Sequence, residues 1–316
     1  MKMNRFFTSA VIAAIVLPLA IMSCNNDKET DDNTLVELRL TSGLDVRTRA
    51  AFPASDEQIP SGEQVYVYVD EAGGAVQLYQ KITMIADGNG NLTGGGTRMN
   101  FPVNGNNVDI YALHTNATFA IAYPTTALTH TVNSDQRTLA GYAPSDLLYA
   151  KRTNVAKTPN PILLTFNHLL SKIQVAVMPG EGLTAANILG ITIGETRPQA
   201  QFTLNKATAS NAVAITAAGT ATPITIGADV STNLTTNIRY NDAIIVPQTI
   251  AANTPLITVQ ISGGTNLVYR TPASAIFESG KKYIYLITAN STGLTLITEI
   301  EDWKPGGTVT GEATIE

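Results

Sequence analysis

Gln64-Val65-Tyr66-Val67-Tyr68-Val69-Asp70 is the stretch that decides how this chain folds. Successive side chains of an extended strand point to opposite faces, so Val65, Val67 and Val69 lie on one side and Tyr66 and Tyr68 on the other. The reading is a half-buried strand. The same period of two recurs in Val108-Asp109-Ile110-Tyr111-Ala112-Leu113 and over residues 256–262, where Ile257, Val259 and Ile261 alternate with Thr258, Gln260 and Ser262. Residues 283–289 are apolar on both faces, as expected of a central strand packed from two sides. Turn-forming clusters separate these runs at residues 70–74, 87–91 and 104–107, at Gly263-Gly264 and at Glu278-Ser279-Gly280. No long segment repeats apolar residues at helical spacing between caps. Many short strands joined by glycine-rich turns predict an all-β protein of sandwich type.

The chain has 316 residues, and a single domain seldom much exceeds roughly 250. Lys157-Thr158-Pro159-Asn160 interrupts the strand pattern ahead of a long run over residues 162–178. The expectation is two tandem β-sandwiches, 35–157 and 158–316, preceded by residues 1–23 and 24–34.

Those first residues carry their own signal. Lys2 and Arg5 precede an apolar run over residues 10–22, and Ser23-Cys24 follows. This is the layout of a secretory leader, and it is shorter than the roughly 20 apolar residues a spanning helix needs. Ile21-Met22-Ser23-Cys24 resembles a lipobox, in which the cysteine is diacylated and becomes the first mature residue. Cys24 is the only cysteine, and lipidation accounts for a lone thiol in an exported chain better than an ordinary leader with a bystander cysteine does. Residues 25–33 are polar, with Asp27, Glu29, Asp31 and Asp32 against Lys28. Such a composition buries too little to fold alone and reads as a flexible acidic tether.

Several function classes are disfavoured. The formal net charge is -5, and charged residues make up 14% without a Lys/Arg cluster, which argues against nucleic acid as a partner. His114, His130 and His168 lie in no nucleophile or metal spacing; His168, inside an apolar strand, reads as a packed residue rather than a ligand. Asp87-Gly88-Asn89-Gly90-Asn91 imitates the start of a calcium loop, but Leu92 stands where the sharp-turn glycine belongs and no glutamate closes it. An Asn-Gly hairpin turn is the better reading. Gly88 and Gly90 lack the third glycine of a dinucleotide site. No catalytic residue, metal site or cofactor is expected. Trp303 and the tyrosines at 66, 68, 283 and 285 read as core before binding platform.

Leu164-Thr165-Phe166-Asn167-His168-Leu169-Leu170-Ser171-Lys172 resembles the Phe-x-His-x-x-Ser/Ala-Lys strand of fimbrillin-like lipoproteins, the pilins and adhesins of type V pili. Other matching strings occur in order: Phe101-Pro102, Val108-Asp109-Ile110-Tyr111-Ala112, Ser145-Asp146-Leu147-Leu148-Tyr149-Ala150, Ile244-Ile245-Val246-Pro247-Gln248, Lys282-Tyr283-Ile284-Tyr285 and Ile300-Glu301-Asp302-Trp303-Lys304-Pro305-Gly306. The resemblance implies two transthyretin-like sandwiches and assembly rather than chemistry. It implies a lipid anchor in the outer membrane, an acidic tether of the kind that addresses display on the surface, and an Arg-specific protease that removes a leading strand. It also implies polymerisation with other pilin subunits into a fimbria, a strand from one filling the vacated groove of the next.

Candidate parts exist for each step. In residues 35–40, Val36, Leu38 and Leu40 share one face opposite Glu37 and Arg39, the pattern of a strand able to occupy such a groove. Arg47-Thr48-Arg49-Ala50 follows; cutting after Arg47 or Arg49 would start the mature subunit at Thr48 or Ala50. At the other end Val309, Gly311, Ala313 and Ile315 share a face and form a candidate donor strand, or else a strand that closes its own domain. The rival reading is a monomeric surface lipoprotein that binds a glycan or protein and stays anchored. The ligand itself is not legible.

Overall fold

The computed structural model describes residues 35–44, 59–73, 76–117, 127–204, 213–303 and 308–309. The fold is all-β. The first part contains β1 (Leu40–Leu44), β2 (Gln64–Glu71), β3 (Gln77–Ala86), β4 (Asn91–Gly94), β5 (Val108–His114), β6 (Leu128–Thr131), β7 (Leu148–Val155) and β8 (Ile162–His168). All but β6 form a closed barrel in the order β1-β4-β3-β2-β5-β7-β8. Its interior is the apolar set read from the alternation: Val65, Val67 and Val69 with Val108, Ile110 and Ala112, joined by Leu164 and Phe166 of β8. The β3–β4 connection is a hairpin pairing Ala86 with Leu92. Within it the Asp87 carboxylate accepts from the backbone N–H groups of Asn89 (2.7 Å) and Asn91 (2.9 Å). Gly88 and Gly90 supply the positive φ, at 79° and 93°. Asp87 therefore organises a turn.

The remaining strands are β9 (Ser171–Pro179), β10 (Ile188–Thr196), β11 (Gln199–Phe202), β12 (Ile215–Ala218), β13 (Thr222–Ile226), β14 (Asn241–Ile245), β15 (Gln248–Ile250), β16 (Pro255–Ile261), β17 (Asn266–Arg270), β18 (Ala275–Phe277), β19 (Lys281–Asn290), β20 (Gly293–Asp302) and β21 (Thr308–Val309). They build a four-stranded sheet, β13-β10-β16-β17, and a five-stranded sheet, β14-β9-β19-β20-β21. One core is shared by Ile191, Ile193, Ile257 and Val259 of the first and Ile173, Val175, Tyr283 and Tyr285 of the second. A small sheet β12-β11-β6 and the pair β15-β18 complete the set.

Strand β8 closes the barrel and β9 lies in the five-stranded sheet, so the sheets change at Leu169 and Leu170. The two parts are also interleaved: β6 pairs with β11, Ala200 opposite His130. Beyond β6 the chain plugs a seam where the edges β13 and β14 meet. Gln136 N–H donates to Thr225 O and Thr225 N–H to Ser134 O, both at 2.8 Å. The Gln136 side-chain amide then pairs with Ile244 in both directions, Nε2 to Ile244 O and Ile244 N to Oε1, again at 2.8 Å. One glutamine thus satisfies backbone groups that an edge strand otherwise leaves open.

The half-buried reading of residues 64–70 is overturned. Tyr66 is 8% exposed and Tyr68 1%, and with Tyr111, Leu113 and Tyr149 they join the core of the second part. The outer face of β2, β5 and β7 is the wall between the two halves. Burial pushes the phenols of Tyr68 and Tyr149 above their ordinary range.

At the end of β8 the His168 ring stacks on Trp303, centroids 3.6 Å apart and planes 12° off parallel. Its Nδ1 lies 2.8 Å from an Asp146 carboxylate oxygen. His168 is thus a packed, hydrogen-bonded residue. Burial raises the Asp146 carboxyl, but the attraction and hydrogen bond of His168, aided by the Leu147 N–H, outweigh it and hold the group below its ordinary value. The turn at residues 278–280 clamps the same place: Ser279 Oγ donates to Leu169 O and Ser171 Oγ to Glu278 O, both at 2.7 Å.

Two outcomes follow from this packing. Leu164 is fully buried whereas Leu163, its neighbour on β8, is 49% exposed. Leu164→Ala is expected to destabilise by about 2–5 kcal/mol and Leu163→Ala by no more than about 0.5 kcal/mol, measured from urea midpoints. Asp146→Asn should cost about 1.5–3 kcal/mol at neutral pH, the range for a hydrogen bond to a charged group. Because folded Asp146 titrates below its unfolded value of about 3.9, its contribution is complete above that pH and fades as pH falls through the folded value. The gap between wild type and Asp146→Asn should therefore close on acidification, followed by the fluorescence of Trp303; a gap constant down to the acid limit would contradict the pairing.

Candidate assembly interface

Residues 35–44 are the part of the barrel contributed by the chain's leading segment. The regular strand runs from Leu40 to Leu44, later than the expected 35–40, although Val36 and Leu38 share its inward face. Leu38 and Leu40 are each 2% exposed and Val36 and Leu44 are partly buried, whereas Leu35 is 70% exposed and stands outside. Thr41-Ser42-Gly43 would not by itself read as a strong strand; its partners on both flanks impose the conformation.

Those partners use nearly all of its backbone. On one flank Phe101 N–H donates to Val36 O and Leu38 N–H to Met99 O, both at 2.9 Å, and Ser42 N–H donates to Gly90 O at 2.7 Å. Leu40 pairs with Leu92 of β4 in the same antiparallel sense. On the other flank Ile162 N–H donates to Arg39 O at 2.8 Å, and β1 runs parallel to β8 with Leu40 opposite Ile162 and Leu44 opposite Phe166. In the barrel order β4 and β8 are joined only through β1. The segment's outward groups hold it loosely by comparison. Arg98 Nε lies 3.3 Å from Glu37, with side chains 72% and 43% exposed, a contact that solvent screens. The Arg39 guanidinium donates to Pro159 O. A cavity of about 350 Å³ runs beside the strand, bordered by Leu38, Leu40, Met84, Thr97 and Met99.

At the other end, β21 pairs with β20, Val309 opposite Ile300 and Thr308 opposite Glu301. Trp303 roots this end through its stack on His168 and through its backbone N–H, which donates to Gly280 O at 2.8 Å. The seam between β17 and β20 lies opposite the one Gln136 plugs. Along β20, Ile297 is 54% and Ile300 46% exposed. Cys24, Arg47, Arg49 and Ala50, and Gly311, Ala313 and Ile315 of the candidate donor, lie outside the described residues, as does the side chain of Val309.

The histidines each have a local partner. His114 contacts Gln64 O and Glu63, both at 2.9 Å. His130, whose protonation burial disfavours, lies 2.9 Å from Ser145 O. Among the described residues no group of three or more His, Cys, Asp or Glu is placed to hold a metal ion, and no helix is long and apolar enough to cross a membrane. Sequence reasoning missed Gln136, whose role depends on two strands far along the chain, and the Lys172–Asp242 pair described below.

A Bacteroides uniformis protein assigned as fimbrium subunit Fim1C is 26% identical over 96% of this chain and 98% of its own. A crystal structure from Bacteroides uniformis, assigned as a cell adhesion protein, superposes with a TM-score of 0.64 at 21% identity, covering 85% of this chain and 98% of that one. A second such structure, from Bacteroides ovatus, gives 0.61 at 16% identity over 87% and 100% of the two chains. The sequence profile of the fimbrillin-like family, whose members are structural rather than catalytic, matches residues 48–303. On that match, spanning most of the sequence, the chain belongs to the fimbrillin-like family.

Proposed function

We propose that this chain is a subunit of a cell-surface fimbria that assembles by exchange of β-strands. The observation that carries the reading is the position of residues 35–44: they alone join β4 to β8, and the family match begins at residue 48, just beyond them and between Arg47 and Arg49. A cut after Arg47 or Arg49 by an Arg-specific protease would release Cys24, its lipid and the strand together. The edges of β4 and β8 would then be open, with the sites of Val36, Leu38 and Leu40 vacant. An incoming strand would restore the backbone ladder and refill the core, which is the physics of strand addition. The relative assigned as a fimbrium subunit supports the same role.

The donor in this reading is the tail that starts at β21. Val309, Gly311, Ala313 and Ile315 would face inward. Gly311 and Ala313 bury less than the leucines they would replace, so binding leans on main-chain hydrogen bonds and on Ile315. Before trimming, the lipid on Cys24 holds the subunit at the outer membrane and the leading strand keeps its own groove closed, so premature polymerisation is blocked by the same residues that later leave.

Arg-specific digestion of the full chain should yield detergent-resistant ladders, and deletion of residues 309–316 should abolish them. Monomers under both conditions would instead mark an anchored binding protein. In the digested subunit a peptide spanning 308–316 should bind, and Ile315→Asp in that peptide should weaken binding by about tenfold or more, as loss of roughly 1.5–3 kcal/mol of apolar burial requires. Equal binding of both peptides, read by titration calorimetry, would remove the tail as donor.

A further inference from the structure

Lys172 and Asp242 form the most deeply buried charged pair among the described ion pairs. Both side chains have 0% exposure, and Lys172 Nζ lies 2.7 Å from Asp242 Oδ2. Lys172 is on β9 and Asp242 on β14, adjacent antiparallel strands in which Lys172 is paired with Ile244 and Asp242 with Gln174. The two are diagonal neighbours on one face, within reach of each other's side chains. An ammonium has three hydrogens to place, yet Nζ makes no hydrogen bond of good geometry despite the short contact. Its other neighbours are aromatic faces, Trp303 at 5.8 Å and Tyr142 at 5.9 Å from the ring centroids. The other carboxylate oxygen, Oδ1, accepts a hydrogen bond from Gln174 Nε2 at 3.0 Å, also buried.

We infer that Lys172 and Asp242 condense into an intramolecular isopeptide bond that staples β9 to β14. The step begins as one proton passes from Nζ to Oδ2, giving an amine and a carboxylic acid. The amine lone pair attacks Cγ, the N–Cγ bond forms, and the electron pair of the Cγ–Oδ1 double bond moves onto Oδ1. Gln174 Nε2 is already placed to donate to that oxygen as it gains charge, the role of an oxyanion-binding group. A second proton passes from nitrogen to Oδ2, the Cγ–Oδ2 bond breaks, and one water leaves as the carbonyl re-forms. The balance is ammonium plus carboxylate giving amide plus water, with no oxidant, reductant or co-reactant. The product removes a buried charge pair and covalently closes the chain from 172 to 242 within the sheet whose other edge carries β21.

Mass spectrometry of the full chain, isolated from the cells that make it, decides the matter. After proteolysis the fragments carrying Lys172 and Asp242 should be recovered joined, with a mass one water below their sum. Lys172→Met should yield separate fragments at full mass. Asp242→Asn should give a joined product identical in mass to the wild-type one, because the amide loses ammonia where the acid loses water. Gln174→Leu, which keeps the volume but removes the donor, should leave a larger uncondensed fraction at early times after synthesis. Should a variant fail to fold, the wild-type fragments still answer: their recovery as separate peptides of full mass would overturn the inference.

Discussion

Every β-sheet must account for its edges, and that requirement organises this molecule. The barrel is complete only because residues 35–44 pair with β4 on one side and with β8 on the other. The parallel register against β8 sets Leu40 beside Ile162 and Leu44 beside Phe166, so the same contact that closes the ladder also closes the core. A segment held this way is strongly bound while attached, yet its loss removes one strand and leaves the rest of the barrel order intact. The second part meets the same requirement differently. One seam is filled from within by Gln136 and its neighbours, and the opposite seam is met in the described residues by Thr308–Val309.

The two parts are joined by a wall of tyrosines. The barrel strands present valines to their own core and Tyr66, Tyr68, Tyr111 and Tyr149 to the neighbouring one. Aromatic side chains of this size bury large apolar areas. Trp303 stacks on His168 at the end of β8, and β8 flanks the leading strand. The clamp of Ser171 and Ser279 on this junction adds hydrogen bonds where the sheets change.

What was legible in the sequence was local. The alternation at 64–70 placed Val65, Val67 and Val69 inside correctly, and the unpunctuated apolar character of 283–289 marked β19 as a central strand. The alternation of Val36, Leu38 and Leu40 also pointed to a single inward face. The errors arose where a distant partner decided the outcome. Tyr66 and Tyr68 read as core, yet the strand read as half-buried because nothing nearby in the chain names the second core that their face enters. Strands β8 and β9 read as one apolar run because Leu169 and Leu170 lie between them with no glycine or proline to mark the change of sheet. Gln136 was invisible because a glutamine in a loop carries no sign of the two strand edges it bridges.

By itself, then, the sequence determined the strand content, the faces of individual strands and, through its ordered motifs, the family. Those properties depend on side-chain alternation and turn chemistry within a few residues. Only the tertiary structure decided that the first sheet closes, that β6 crosses to the other half, and that Lys172 meets Asp242 in the buried interior. Each of these depends on which edges meet after folding, and backbone hydrogen bonds are the same for every residue; sequence pattern states that an edge exists but does not name the strand that will cover it.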